Sequence, residues 1–172
     1  GLRQLLSGGA RDEAARVFLA PEPRVALGLA LRGLASAAID VTAFTGGPWE
    51  YDVFVERMDG APTPQGQDRY RYAVPTFRDP DLMQRTLALL ASDAVRTQDA
   101  PYLFQVAIMN RDLGGDAWAY VRDHWATITP RFTKTNTIAL AQRARWLTAA
   151  DEVDDIQAFF EANDIPPARL TL

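Results

Sequence analysis

Eight consecutive residues, Tyr102-Leu103-Phe104-Gln105-Val106-Ala107-Ile108-Met109, carry a single polar side chain, Gln105. A helix that is apolar on nearly every side has no face to give to water, so it must be covered on both flanks. A Gly114-Gly115 break follows. Beyond it Trp118, Val121, Trp125 and Ile128 recur at intervals of three, four and three, which gathers two indoles and two aliphatic chains on one helical stripe. A fully buried helix beside an amphipathic one predicts a layered all-α domain. Strand signals are absent, since no alternating run reaches the length of a hairpin arm.

In chain order, Leu2 to Leu6 reads as a helical remnant ended by Gly8-Gly9, and Asp12 to Leu19 as a short helix broken by Pro21 and Pro23. Val25 to Phe44 is a long Ala- and Leu-rich helix. Gly28 and Gly33 within it are small enough to admit a close neighbour, at roughly 1 kcal/mol each against alanine. After Gly46-Gly47, Pro48 opens a helix with Tyr51, Phe54, Val55 and Met58 on one stripe. Thr63-Pro64 and Asp79-Pro80 are cap-plus-proline starts. The first opens a helix burying Tyr70, Ala73, Val74 and Phe77, which Pro75 should kink or end near Val74. The second turns Leu82, Met83, Thr86, Leu87 and Leu90 inward. Asp99 caps the apolar helix, Lys134-Thr135-Asn136 reads as loop, and Thr137 caps a helix bearing Leu140, Ala144 and Leu147. Thr148 to Asp151 resembles a capping box, and Val153, Ile156 and Phe160 form the inner face of the last helix.

The first helices of successive pairs start near Pro48, Pro80, Asp116 and Asp151, roughly every 35 residues, the period of a HEAT- or armadillo-like solenoid of paired antiparallel helices. A length of 172 residues suits one such domain over 1–172 with a sizeable core.

Composition removes several classes of function. Apolar residues make up 48% and the net charge is −4 without runs of either sign, which leaves no electrostatic footprint for nucleic acid. The absence of cysteine excludes disulfides and thiolate metal sites, and fits the cytoplasm. One lysine stands against seventeen arginines, the signature of a GC-rich bacterial genome. The start at Gly1 and the lack of a signal pattern point to a C-terminal piece of a longer protein. Arg32 and Asp40 interrupt the apolar run from Val25 to Phe44, each costing roughly 2.5–3.5 kcal/mol at a bilayer centre, so it is read as a buried core helix rather than a membrane span.

Little in the chain suggests catalysis. His124 is the only histidine, and it falls at the edge of the tryptophan stripe, where a boundary ring is the simplest reading. Ser7, Ser36 and Ser92 lack the G-x-S-x-G elbow. The acids Asp151-Glu152 and Asp154-Asp155 suit the dipole of a helix start. No catalytic and no metal-ligating residue is assigned. The tryptophans at 49, 118, 125 and 146 read as core, with Trp146 the exception because it lies off the Leu140/Leu147 stripe.

Thr97-Gln98, Pro101, Asn110-Arg111, Ala117-Trp118, Trp125 and Arg131-Phe132, in that order, resemble the C-terminal domain of zinc aminopeptidases of the aminopeptidase N and endoplasmic-reticulum aminopeptidase type. Asp151-Glu152-Val153 through Ala158-Phe159-Phe160 is similar to that family's closing helix, and the likeness extends more faintly back to Gly47. The resemblance implies a helical solenoid covering the active-site chamber of a peptidase. The family's zinc site is H-E-x-x-H with a further glutamate, and its substrate anchor is a G-x-M-E-N motif. Neither occurs here, so zinc and catalysis belong to the parent's N-terminal portion, which together with peptides is the implied partner. The family's second helices line the concave face. Arg69 and Arg71 on one second helix, and Arg143 and Arg145 on another, are therefore candidates to hold a peptide's terminal carboxylate. The alternative is a free-standing helical-repeat module that binds a protein or peptide.

Overall fold

A computed structural model describes residues 23–147 and 150–163, with side chains from 33 and from 153 onward in the two stretches. The segments from Leu2 to Leu19 and the capping box at Thr148 lie outside the described residues. Every described element is helical and no strand occurs among them. The chain divides into two compact units, Gly1–Thr42 and Ala43–Leu172.

In the first unit the described element is helix α1, Pro23–Thr45, whose last turn enters the second. Its side chains correct one expectation. Leu34 is 68% exposed and Val41 62%, whereas Ile39 is buried, so from residue 33 onward this is not a core helix. Among the described residues a Cβ built at Gly33 meets nothing within 4 Å. No described helix is long and apolar enough to cross a membrane.

The second unit is an α-solenoid-like stack. Its first helices are α2 (Pro48–Gly60), α4 (Pro80–Ala91), α6 (Gly114–Asp123) and α9 (Ala150–Ala162). Its second helices are α3 (Pro64–Ala73), α5 (Ala100–Ile108) and α8 (Lys134–Arg143). The central α5 packs against α4, α6 and α8, so the demand of its apolar sequence is met by neighbours in both layers. Its cover is incomplete at two points, since Tyr102 and Met109 are each about half exposed on the second-helix layer.

Local signals explain most boundaries. Thr63 Oγ1 accepts from the Gly66 N–H at 3.1 Å, and Asp79 Oδ1 accepts from the N–H groups of Asp81 and Leu82, satisfying donors a helix start leaves free. Pro75 does end its helix: α3 stops at Ala73 and the chain continues as a 3-10 turn, Val74–Thr76. Gly114 is required, because a Cβ there would lie 2.4 Å from the Ile108 carbonyl oxygen. All five expected inward residues of α4 are buried.

Four boundaries or faces differ from the sequence reading. Thr133, not Thr137, caps α8, accepting from the Asn136 N–H, so the polar Lys134-Thr135-Asn136 is the helix's first turn, which has no need of apolar residues. Asp99 makes no cap bond; its carboxylate turns to Arg71 instead. The tryptophan helix breaks at His124 into α6 and the short α7 (Trp125–Ile128), although Trp118, Val121 and Ile128 stay buried. On α9 the inner face is Ile156 and Phe159, while Val153 is 49% exposed. The reason is aromatic: Phe159 packs edge-on against Trp118 and Trp125, each at 5.1 Å.

Side chains from later pairs tie off earlier ones. Arg131 donates to the carbonyls of Ala91 and Ser92, meeting the free acceptors and negative dipole end of α4. Asn110 donates to the carbonyls of Pro75 and Phe77, and its Oδ1 accepts from the N–H groups of Asp112 and Leu113. One amide thus fixes the turns on both sides of the second pair.

Candidate functional site

The second helices of the first and third pairs carry Arg69, Arg71 and Arg143, with Arg145 in the 3-10 turn that follows, and the structure treats these four candidates differently. Arg71 is buried, at 6% exposure. It donates to Asp68 at 2.9 Å, and to Asp59 and the Met58 carbonyl at 3.1 Å, with Asp99 at 3.6 Å. Those contacts pin α3 to the end of α2 and to the start of α5. They leave the guanidinium surrounded by carboxylates, a poor site for another one. Arg69, two residues earlier, is half-buried on the same helix.

Arg143 and Arg145 are brought together around an open cavity of about 420 Å³, lined also by Gln105, Ala139, Gln142 and Trp146. Local structure explains the grouping. The helix α8 ends at Arg143 and the chain tightens into a 3-10 turn, Ala144–Trp146. Ala144 points inward while Arg145 and Trp146 turn out, leaving the indole 66% exposed. Arg143 Nε donates to Gln105 Oε1 at 2.9 Å, and Nη1 lies 3.6 Å from the Met109 sulfur. Gln105 is itself buried and fixed, donating from Nε2 to the Pro101 carbonyl. Among the described residues Arg143 is therefore held by neutral partners, which orient the guanidinium.

This is the group sequence reasoning only half found. Trp146 was legible as the indole outside the apolar register. Trp49, also expected in the core, is 73% exposed instead, as an edge position on α2. Gln105 carried a signal, being the one polar residue of a buried helix. Met109 carried none, because it reads as one more apolar residue.

A second opening of about 290 Å³ lies beside Met109, lined by Phe44, Thr76, Arg78, Val106 and Asn110 among others. Arg78 stacks over the Phe44 ring at 4.3 Å and pairs with Asp112.

Hydrolytic machinery has no counterpart among these residues. The His124 ring stacks on Tyr120 at 4.1 Å, and its Nδ1 lies 2.9 Å from the Tyr120 carbonyl oxygen. Burial raises the Tyr120 pKa. No group of three or more His, Cys, Asp or Glu among the described residues is placed to hold a metal ion, so these residues do not fit a zinc. Two guanidiniums, two amides and an indole face suit a ligand with a carboxylate and an apolar portion.

A family model described as ERAP1-like C-terminal domain matches residues 23–172. No curated protein matches the chain.

Proposed function

The chain belongs to the ERAP1-like C-terminal domain family, and from that premise we propose that it is the non-catalytic C-terminal domain of a zinc-dependent aminopeptidase. In this reading the parent removes N-terminal residues from peptides with a zinc ion held in its N-terminal catalytic portion. The solenoid covers the chamber and governs which peptides enter. The second-helix layer faces the peptide, and Arg143 and Arg145 receive its terminal carboxylate, with Arg69 on the same layer and Arg71 holding the first pair in place. The exposed apolar positions of α1, Leu34 and Val41, would meet the catalytic portion.

The observation that carries the binding part is the cavity beside Trp146, where Arg143 is oriented by Gln105 and no carboxylate among the described residues pairs with it. Deleting the domain from the parent tests the covering role. Zinc content should be kept, while the dependence of rate on peptide length should change. An unchanged length profile would reject the chamber wall.

A further inference from the structure

The chain has three methionines, and their surroundings differ sharply. Met58 and Met83 are core residues, at 5% and 1% exposure, whereas Met109 is 50% exposed at the end of α5. Its sulfur lies 3.6 Å from Nη1 of Arg143. Met109 lines one opening and Arg143 the other, and the two side chains touch. A thioether is a weak acceptor, and a guanidinium facing it has an unfilled demand for a better one.

We propose that Met109 is a peroxide-reactive modification site whose sulfoxide is held by Arg143. The sulfur lone pair attacks one oxygen of hydrogen peroxide. The S–O bond forms as the O–O bond breaks, and the departing hydroxide takes the remaining proton and leaves as water. Sulfur is oxidised to the sulfoxide and peroxide is reduced to water. The new oxygen is a strong, polar acceptor placed against Nη1, while Gln105 Oε1 already holds Nε. Oxidation then fastens Arg143 from both sides. Reduction by a methionine sulfoxide reductase reverses it. Burial protects the other two sulfurs, and Met83 sits where a polar sulfoxide would disrupt the core. A further consequence rests on the proposed function: a fastened Arg143 is less able to turn toward a peptide carboxylate.

The test needs no peptide. The full chain is treated with hydrogen peroxide, digested, and the oxygen added at each methionine is followed by mass spectrometry. Met109 should react about tenfold or more faster than Met58 and Met83, since susceptibility follows exposure. Comparable rates at all three would overturn the proposal. Melting temperatures before and after oxidation are then compared in the wild type and in Arg143→Ala. Oxidation should be less destabilising where Arg143 is present, and Met109→Leu should show no shift at all. Equal shifts in wild type and Arg143→Ala would overturn the role of Arg143. Should Arg143→Ala not fold, Arg143→Gln serves the same comparison with a neutral amide.

Discussion

The helix α3 carries Arg69 and Arg71, and the end of α8 with the 3-10 turn after it carries Arg143 and Arg145, yet the two pairs are used in opposite ways. Arg71 is buried among Asp59, Asp68 and Asp99 and takes the Met58 carbonyl as well. Arg143 meets a neutral amide and a thioether. The first arginine is neutralised and ties three helices together. The second is aimed but keeps its charge. Position on the helix is the same in kind; what differs is the partners supplied by neighbouring elements. Spacing in a sequence fixes where a guanidinium starts, and the next helix decides what its charge does.

The two arginines would not differ in kind if the third pair were simply loose, because Arg143 would then lack strong partners for want of order. Trp118→Ala tests this and should have the largest effect. Trp118 is 2% exposed and packs against Phe159 and Phe160, so truncation should cost about 3–5 kcal/mol in chemical denaturation. Its Nε1 finds no hydrogen-bond acceptor among the described residues, so the loss is one of packing. A cost below about 1 kcal/mol would mean that the third pair is soft.

Arg71→Ala comes next. Removing one partner of a fully buried ion pair costs about 3–5 kcal/mol. Here Asp59 and Asp68 are well exposed and can be rehydrated, so about 2–3 kcal/mol is expected. Arg143→Ala, measured in the same way, should cost less than half of that. Equal losses at the two sites would erase the distinction between a structural and a presented arginine.

Much of this was legible in sequence, for reasons that are local. Thr63, Asp79 and Pro48 announce helix starts through chemistry confined to one turn, and Pro75 ends α3 because it lacks the N–H a helix interior needs. The all-helical, paired architecture followed from the periodicity of apolar residues. What was not legible depends on contacts far apart in the chain. Phe159 rather than Phe160 is the buried member of an adjacent pair because two tryptophans more than thirty residues earlier hold it. Asn110 looks like a turn residue, and only the structure shows it reaching back to Pro75 and Phe77. The candidate site shared that limit: Arg143, Arg145 and Trp146 were visible as exposed types on a second helix. The engagement of Arg71 by acids from three segments was not.

Replacing Arg143 and Arg145 together by alanine tests the difference at the level of binding. In the parent peptidase the variant should raise KM for free-carboxylate peptides about tenfold relative to amidated ones, since a charge-assisted hydrogen bond is worth about 1.5–3 kcal/mol. Equal kinetics on the two peptide types would reject the assignment. Arg69→Ala should change the ratio less, because Arg69 is not among the residues that line the cavity beside Trp146.

The smallest effect contrasts the same two regions through their tyrosines. Tyr51 on α2 is 1% exposed, and its pKa is raised chiefly by burial, an effect countered in part by the Thr86 hydrogen bond and the Arg85 charge. Tyr120 on α6 is only half-buried, and burial raises its pKa too. A raised pKa means that the folded state holds the phenolic proton more tightly than the unfolded chain does. The associated stability is complete below the unfolded value, about pH 10, and is lost as pH rises through it toward the folded value. Urea unfolding between about pH 8 and 11 should therefore show stability falling at the alkaline end, with Tyr51→Phe flattening the fall more than Tyr120→Phe. The slopes are the readout, not the absolute values. The Thr86 hydroxyl lies 3.0 Å from the Tyr51 hydroxyl, so Tyr51→Phe also loses one hydrogen bond, worth about 1 kcal/mol. If Tyr51→Phe runs parallel to the wild type, the buried phenol of the first pair is not the alkaline trigger. If Tyr120→Phe flattens the curve more, the third pair is the drier of the two, and the contrast drawn from the arginines is reversed.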